Sequence, residues 1–300
     1  MTAPGMGDSW DEEDKTASGT TGEEAEQLPE QWSRPAASGA WREVRRVLRF
    51  ARLLAHALTG AVLAHTLLPL LMRLEHDPRR APALVRWWNR RFTRILNLQL
   101  ILEGEISRRP TLFVANHISW LDIPCLRAVL DVAFVSKAEV RHWPVVGGMA
   151  ARAGTIFFTR GNSDATALTA ERMTWTLTQR RHLLIFPEGT TSDGRGLRYF
   201  HARLYQAAVR TRACIQAVAL SYPHANGVHP AAPFIDNDNL ARHLWTLLAE
   251  DRLTVKAVFC APLPAMGLER RALANRTRAQ IAVALGFDAL AGADALRVNQ

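Results

Sequence analysis

The sequence is poor in cysteine, and its few cysteines form no recognisable metal-binding or disulfide pattern. Cys125, Cys214 and Cys260 are far apart, and no CxxC pair occurs. An odd number of scattered cysteines argues against a disulfide framework and fits a reducing compartment. The sequence also lacks helix-turn-helix, zinc-finger and RNA-binding motifs. We therefore expect no nucleic-acid partner.

Acidic residues are concentrated in the first forty positions and are sparse in the rest of the chain. These forty positions hold nine acidic and two basic side chains, a net charge of −7; because the whole chain carries +9, residues 41–300 carry +16. This leader is rich in Gly, Ser, Thr and Pro and cannot bury enough apolar surface to offset its ordering entropy. We predict a disordered acidic tail over 1–39, with the wrong charge for a signal peptide. The basic remainder needs an anionic partner, such as an anionic membrane surface or a phosphorylated substrate.

An uninterrupted apolar run of membrane-spanning length is lacking as well. Residues 53–72 carry no formal charge and have the length of a spanning helix, but histidines, Gly60 and Pro69 interrupt them. Arginines flank the segment on both sides, whereas a spanning helix usually has its basic excess on one side. This symmetry favours a segment that dips into one leaflet or lies in the interface. We predict a membrane-associating helical region over 40–96, with a buried helix of a soluble protein as the alternative.

Short apolar runs alternate with helical stretches from residue 97 onward. This alternation is typical of an α/β fold with a largely parallel sheet covered by helices, here over 97–287, followed by a frayed tail over 288–300. The predicted strands are 98–102, 111–115, 132–135, 155–158, 183–186, 215–220 and 253–259. The predicted helices are 123–130, 146–153, 165–180, 199–211, 240–250 and 268–285.

A histidine and an aspartate follow the predicted strand 111–115, in the segment Asn-His-Ile-Ser-Trp-Leu-Asp at 116–122. Ligands bind at the carboxyl ends of strands in open α/β sheets. His117 suits a general base there, since a histidine has an unperturbed pKa of about 6.5, and Asp122 can fix its tautomer. Alternatively, Ser119 and Asp122 form a capping box at the start of a helix.

Two further strand ends carry polar groups suited to an anion. Glu188, Gly189 and Thr190 follow strand 183–186 in a loop with many donors and little bulk, which can bring backbone amides close to an anion. Arg160 follows strand 155–158, and its fork of donors suits a phosphate. Taken alone, the loop at Glu188 also fits an ordinary polar turn.

The order and spacing of the blocks at 116–122, 154–160, 186–192 and 218–223 resemble those of the glycerolipid acyltransferase family, which includes the 1-acylglycerol-3-phosphate acyltransferases. The resemblance covers about 97–285 and rests mainly on the HxxxxD and FPEGT motifs. It implies that a fatty acyl group passes from an acyl-CoA or acyl-carrier-protein thioester to a lipid hydroxyl, without a cofactor or metal. Ala217 departs from the family pattern, which often has a proline in the fourth block.

The resemblance also implies a role for each matching residue. His117 would deprotonate the lipid hydroxyl, and Asp122 would orient and stabilise its imidazolium. Arg160 and the loop with Glu188, Gly189 and Thr190 would bind the phosphate or headgroup of the acceptor, and Lys137 would add positive charge. A carboxylate cannot itself bind a phosphate, so we expect Glu188 to orient Arg160 or to bind an acceptor hydroxyl. Helix N-terminal amides near His117 are candidate donors to the thioester oxygen.

The expected acceptor is 1-acyl-sn-glycerol-3-phosphate, which would give phosphatidic acid, and the alternative is lyso-ornithine lipid or another lysolipid. We expect the enzyme at the cytoplasmic membrane with its catalytic domain on the cytosolic face. Two remote alternatives are a non-catalytic membrane tether and a metal-dependent hydrolase with His117, Asp122 and Glu188 as ligands. The hydrolase lacks a second histidine at a convincing ligand spacing.

Overall fold

The computed structural model describes residues 39–66, 70, 80–142, 146–152, 154–158, 163–235 and 238–287. The predicted acidic tail, except for residue 39, and the predicted C-terminal tail lie outside these residues. So does Arg160. The helices are α1 (Gly39–His65), α2 (Arg80–Ile95), α3 (Asp122–Val129), α4 (Val146–Arg152), α5 (Ser163–Thr178), α6 (Gln206–Thr211), α7 (Leu240–Ala249) and α8 (Arg270–Ala284). Short 3₁₀ helices occupy Ala138–His142 and Ala202–Tyr205.

The strands form one large mixed sheet and a separate short hairpin. They are β1 (Leu98–Glu103), β2 (Thr111–Ala115), β3 (Val132–Lys137), β4 (Ile156–Phe158), β5 (His182–Ile185), β6 (Cys214–Ser221), β7 (Pro223–His224), β8 (Gly227–Val228), β9 (Leu253–Phe259) and β10 (Leu263–Pro264). The order in the large sheet is β1-β9-β6-β2-β5-β3-β4, with β10 paired to β6, and β7 with β8 forms the hairpin.

Most of the pairings in the large sheet are parallel. Strands β6, β2, β5, β3 and β4 run in one direction, whereas β9 is antiparallel to β6 and carries β1 parallel to itself. The prediction of a largely parallel sheet covered by helices is confirmed, and all seven predicted strands are present. The strands that the sequence did not predict, β7, β8 and β10, are each two residues long. So short a segment has no recognisable apolar pattern.

The central strands are apolar because both faces of the sheet are covered. Every residue of β2 is buried. One face packs Leu112 and Val114 with α5 and α8, and the other packs Phe113 with Leu126 of α3. Such strands lack the alternation of a half-exposed sheet, which is why a continuous apolar run predicts them.

Two arginines of helix α1 bind the rest of the protein, whereas several large apolar side chains of the helix are exposed. Arg45 donates from Nε and Nη2 to the carbonyl of Ala249 at 3.2 and 2.9 Å. Arg49 is buried and donates to the carbonyls of Glu250 and Asp251. These arginines bind carbonyls at and just beyond the end of α7, where the helix dipole favours positive charge. Among the described residues, no helix is both long enough and apolar enough to cross a bilayer.

Candidate active site

The register of the sheet brings the two sequence motifs together. Val114 of β2 pairs with Ile185 of β5, so His117 and Glu188 each lie three residues beyond a paired position. The side chain of Asn116 extends the ladder on the other side of β2: its Nδ2 donates to the carbonyl of Leu220 at 2.9 Å, and its Oδ1 accepts from the Leu220 amide at 2.7 Å. Both neighbours of β2 are thereby held in register at the site.

His117 and Asp122 form the hydrogen-bonded pair that the sequence predicts. His117 Nδ1 lies 2.8 Å from Asp122 Oδ2. The histidine side chain is 15% exposed, while the aspartate is completely buried. The imidazole stacks on the ring of Phe186, with 3.9 Å between centroids and 13° between planes. A fixed ring with one nitrogen bonded to a carboxylate and a partly accessible edge has the geometry of a general base.

Asp122 accepts four hydrogen bonds from its surroundings. Besides His117, Oδ2 accepts the amides of Ile118 at 2.8 Å and Ser119 at 3.0 Å. Oδ1 accepts the hydroxyl of Tyr222 at 2.5 Å. The bond to the Ser119 amide is one half of the predicted capping box, so Asp122 both supports the start of α3 and orients His117.

Glu188 ties the two motif loops together. It is 4% exposed. Its Oε1 accepts the amide of His117 at 2.9 Å, and its Oε2 accepts the amide of Arg198 at 3.1 Å. Burial raises the pKa of this carboxyl, although the two amide bonds act in the opposite direction. In the described structure Glu188 therefore clamps the backbone around His117.

The amides nearest His117 are already engaged. Those of His117, Ile118 and Ser119 donate to Glu188 and Asp122. The prediction that amides near His117 stabilise the thioester oxygen is therefore wrong for these three, because each donates to a carboxylate instead.

The loop after Glu188 folds back onto the histidine motif. Gly189 has φ 70°, a conformation that favours glycine, and its amide closes a tight turn onto the carbonyl of Phe186 at 3.1 Å. The Ser192 amide donates to the carbonyl of His117 at 2.8 Å, and the Thr191 hydroxyl donates to the carbonyl of Phe234. Thr190 lies half-buried between these anchored positions.

Lys137 lies at the same edge of the sheet as the histidine motif. It is the last residue of β3, is half-buried and pairs with Phe158 of β4. Because Phe134 is level with Leu184 of β5, Lys137 lies near the level of Pro187. Its role in substrate binding, and that of Arg160, remain predictions.

Two residues of the site were not identified from the sequence. Tyr222 follows β6, which lies beside β2 although it is a hundred positions further along the chain. Asn116 precedes the histidine, and its amide pairs with β6. For Tyr222, the sequence feature that could have indicated a role is its position at the end of an apolar run, in the block 218–223. Burial and the charge of Asp122 raise the pKa of Tyr222 well above its ordinary value.

The donors at these carboxylates also bear on the metal-dependent alternative. The oxygens of Asp122 and Glu188 accept N–H and O–H groups, and His117 Nδ1 bonds Asp122. A metal ion needs free lone pairs on its ligand atoms, whereas the lone pairs of these oxygens point at hydrogen-bond donors. Among the described residues, no group of three or more His, Cys, Asp or Glu side chains is placed to hold a metal ion.

Comparisons with known proteins agree with this geometry. A family model described as acyltransferase matches residues 97–221. Lyso-ornithine lipid O-acyltransferase of Pseudomonas aeruginosa is 41% identical over 244 residues, which cover 81% of this chain and 94% of that protein. The chain belongs to the glycerolipid acyltransferase family. The predicted family and the predicted O-acyltransferase class are confirmed.

Relatives of this acyltransferase include proteins named for lyso-ornithine lipid and proteins named for 1-acyl-sn-glycerol-3-phosphate as the acceptor. The 1-acyl-sn-glycerol-3-phosphate acyltransferase of Neisseria gonorrhoeae is 35% identical over 179 residues, or 59% of this chain and 70% of that protein. Among solved structures, a 1-acyl-sn-glycerophosphate acyltransferase from Thermotoga maritima has the same fold. Its TM-score is 0.62 at 20% identity, covering 82% of this chain and 96% of that chain.

Proposed function

We propose that this acyltransferase moves a fatty acyl group from an acyl-CoA or acyl-carrier-protein thioester to the free hydroxyl of a membrane lysolipid. The observation that carries the proposal is the 2.8 Å pairing of His117 Nδ1 with the buried carboxylate of Asp122. The pairing fixes the neutral tautomer with its proton on Nδ1. Nε2 then carries the lone pair that a general base needs.

The proposed reaction is a direct transfer. The lysolipid hydroxyl gives its proton to Nε2 of His117 while its oxygen attacks the thioester carbonyl carbon. Asp122 stabilises the imidazolium, the carbon–sulfur bond breaks, and Nε2 returns the proton to the departing thiolate. A positioned base contributes about 10²–10⁴-fold to such a step. No acyl-enzyme, metal or cofactor takes part.

Positive charge at the sheet edge would hold the acceptor headgroup. Arg160 and Lys137 are the proposed cations, and the loop at Gly189 and Thr190 is the proposed wall of this subsite. Glu188 contributes by fixing the backbone at His117, as its two amide bonds indicate.

Lyso-ornithine lipid is the acceptor that we favour, and lysophosphatidic acid is the second candidate. The relative named for lyso-ornithine lipid is more similar and aligns over 94% of its length, against 70% for the relative named for 1-acylglycerol-3-phosphate. The second candidate is supported by the basic charge of the chain, because a phosphate monoester carries more negative charge than the zwitterionic ornithine headgroup.

The outward face of α1 supports contact with a membrane. It exposes large apolar side chains along its length, with Leu54, Leu58 and Val62 each more than half exposed. Apolar patches of this kind on a helix bind the interfacial region of a bilayer. We propose that the enzyme lies on the cytosolic face of the cytoplasmic membrane, where the lysolipid comes from the bilayer and the donor from the cytosol.

A panel of acceptors and donors tests this function. The purified full-length enzyme would be assayed with lyso-ornithine lipid, lysophosphatidic acid and a zwitterionic lysophospholipid, each with acyl-CoA and acyl carrier protein of one chain length. We expect kcat/KM for lyso-ornithine lipid to exceed that for lysophosphatidic acid by about tenfold or more, which corresponds to about 1.4 kcal/mol of transition-state stabilisation. The reverse order would establish the second candidate.

The matched control is His117→Ala in the same assay. We expect it to lose about 10²–10⁴-fold in kcat while its binding to lipid vesicles stays unchanged. Retained activity in this variant would contradict the proposed mechanism, whichever acceptor reacts.

A further inference from the structure

We propose that Tyr222 is a positioning residue that sets the basicity of His117 through the carboxylate of Asp122. The inference rests on the proposed function, because it concerns the same base. Tyr222 is completely buried, and its hydroxyl lies 2.5 Å from Asp122 Oδ1. The other oxygen, Oδ2, serves His117 and two backbone amides.

The tyrosine is held in place from both sides of its chain position. Before it, β6 pairs with β2 and is fixed further by the side chain of Asn116. After it, the amide of His229 donates to the Tyr222 carbonyl at 2.7 Å. A side chain fixed in this way directs its hydroxyl to one oxygen of Asp122 and keeps that oxygen turned away from the histidine.

The hydroxyl can act here only as a donor to the carboxylate. Burial and the negative charge of Asp122 raise the pKa of Tyr222, so the proton stays on the phenol. A hydrogen bond donated to a carboxylate draws negative charge towards the donor. The carboxylate then stabilises the His117 imidazolium less than it would without the Tyr222 hydroxyl.

Other titratable groups face this arrangement from neighbouring elements. Cys125 lies in α3, and burial together with the charge of Asp122 raises the pKa of its thiol, so the thiol stays neutral. Glu188 follows β5 and interacts with His117 and Arg198. The side chain of Ser119, which also interacts with the Tyr222 hydroxyl, is uncharged. The bond to Asp122 is therefore the charged interaction that removal of the hydroxyl takes away.

The test is Tyr222→Phe in the full-length enzyme, assayed for kcat and kcat/KM across pH. Without the donor, Asp122 becomes more basic and stabilises the imidazolium more. We expect the acid limb of the kcat/KM profile to move to higher pH by about 0.5 unit or more. Losing this bond also leaves the Asp122 carboxylate less firmly held beside His117. We therefore expect kcat to fall about tenfold, a fraction of what a general base supplies.

Tyr205→Phe is the matched control. Tyr205 is as deeply buried, and its hydroxyl bonds Thr277 Oγ1 of α8 at 2.7 Å. We expect this variant to lose thermal stability while its acid limb stays where it is in the unmodified enzyme. If both variants move the limb equally, or if Tyr222→Phe leaves it in place or moves it to lower pH, the proposal is overturned.

A second variant makes the opposite prediction and keeps the hydroxyl. Replacing Tyr222 with 3-fluorotyrosine gives a more acidic phenol and a stronger donor, so the acid limb should move to lower pH. A limb that moves upward with this residue would also contradict the proposal.

A direct titration separates this inference from the proposed function. The imidazole signals of ¹⁵N-histidine-labelled enzyme would be followed by NMR, with the His117 signal assigned by its loss in His117→Ala. We expect the pKa of His117 to be higher in Tyr222→Phe than in the unmodified enzyme. If the enzyme transfers no acyl group but this shift occurs, the proposed function fails and the positioning role stands; if the shift does not occur, the positioning role fails.

Discussion

At the scale of single residues, two buried carboxylates organise the site in different ways. Asp122 gathers donors from His117, the backbone before α3 and Tyr222. Glu188 joins two loops by accepting one amide from each. A charge buried in this way is tolerated because every oxygen has a donor. Asp122 therefore contacts the imidazole of His117 directly, whereas Glu188 fixes the backbone of the same histidine.

Replacing Glu188 with Gln distinguishes this clamp from the predicted contact with the acceptor. The side-chain amide of glutamine has one oxygen acceptor and one NH₂ donor. The NH₂ group would therefore meet one of the two backbone N–H groups, which would lose its acceptor. A buried donor left without an acceptor costs about 1–3 kcal/mol. We expect a lower thermal denaturation midpoint and a fall in kcat, with little change in KM for the lysolipid.

The predicted role in acceptor binding gives a different result for the same variant. If Glu188 contacts an acceptor hydroxyl, Glu188→Gln should raise KM for the lysolipid while thermal stability stays near that of the unmodified enzyme. Steady-state kinetics and thermal denaturation on one preparation decide between the two roles.

At the scale of elements, the positions of the strands were predictable, whereas their directions and the contacts between distant strands were not. Buried parallel strands such as β2 are continuous apolar runs, and their ends place His117 and Glu188 on neighbouring loops. The direction of β9 was not predictable, because an apolar run has no direction. Nor was the contact between Tyr222 and Asp122, since only the pairing of β6 with β2 joins them.

The arginines of α1 show the same limit. Arginines on both sides of the apolar segment 53–72 predicted a segment at the membrane interface, but Arg45 and Arg49 bind carbonyls at the end of α7. The sequence cannot distinguish a lipid phosphate from a helix terminus, because both are oxygen acceptors. In the structure the two arginines attach α1 to the end of α7.

An aromatic series continues from α1 to the catalytic motif. His56 of α1 stacks on Trp88 of α2, with 4.3 Å between ring centroids. Trp88 stacks on Phe92 at 6.5 Å, and Phe92 meets Trp120 edge-on at 6.0 Å. Burial lowers the pKa of His56 to about 4, so this contact is between neutral rings. Trp120 lies three residues after His117, which connects the outward-facing helix to the base through packed side chains.

Substituting the outward face of α1 tests its contact with the bilayer. Gln at Leu54, Leu58 and Val62 removes three exposed apolar side chains without disturbing the buried side of the helix. Because each buried apolar side chain contributes about 1.5–3 kcal/mol, we expect a large loss of flotation with anionic vesicles. Activity should fall on lysolipid in vesicles and persist on lysolipid in detergent micelles.

The matched control substitutes Gln at three exposed apolar positions away from α1, namely Leu168, Met266 and Val283. This variant should float with vesicles as the unmodified enzyme does. Equal losses in the two variants would show that total surface hydrophobicity, and not the face of α1, governs vesicle binding.

At the scale of the whole molecule, charge is divided unevenly along the chain. Residues 1–38 carry a net charge of −7 and the rest of the chain +16. The hydrogen bonds that hold His117, Asp122 and Glu188 all lie between residues within 116–222. The site therefore draws these hydrogen bonds from the catalytic sheet and the loops beside it.

Deleting residues 1–38 tests this division. We expect kcat and KM on lysolipid in neutral detergent micelles to stay within about twofold, because the hydrogen bonds that hold His117, Asp122 and Glu188 lie within 116–222. Physiological salt, with a Debye length of about 8 Å, also screens the charge of the leader. Binding to anionic vesicles should become stronger at low salt, because the remaining chain carries the full positive charge, and this gain should vanish as salt is added. Deletion of 1–38 with charge-neutral vesicles serves as the control, where no gain is expected. A large loss of activity in micelles would instead mean that the leader supports the catalytic domain directly, and the prediction that 1–39 is a disordered tail without a role in catalysis would be wrong.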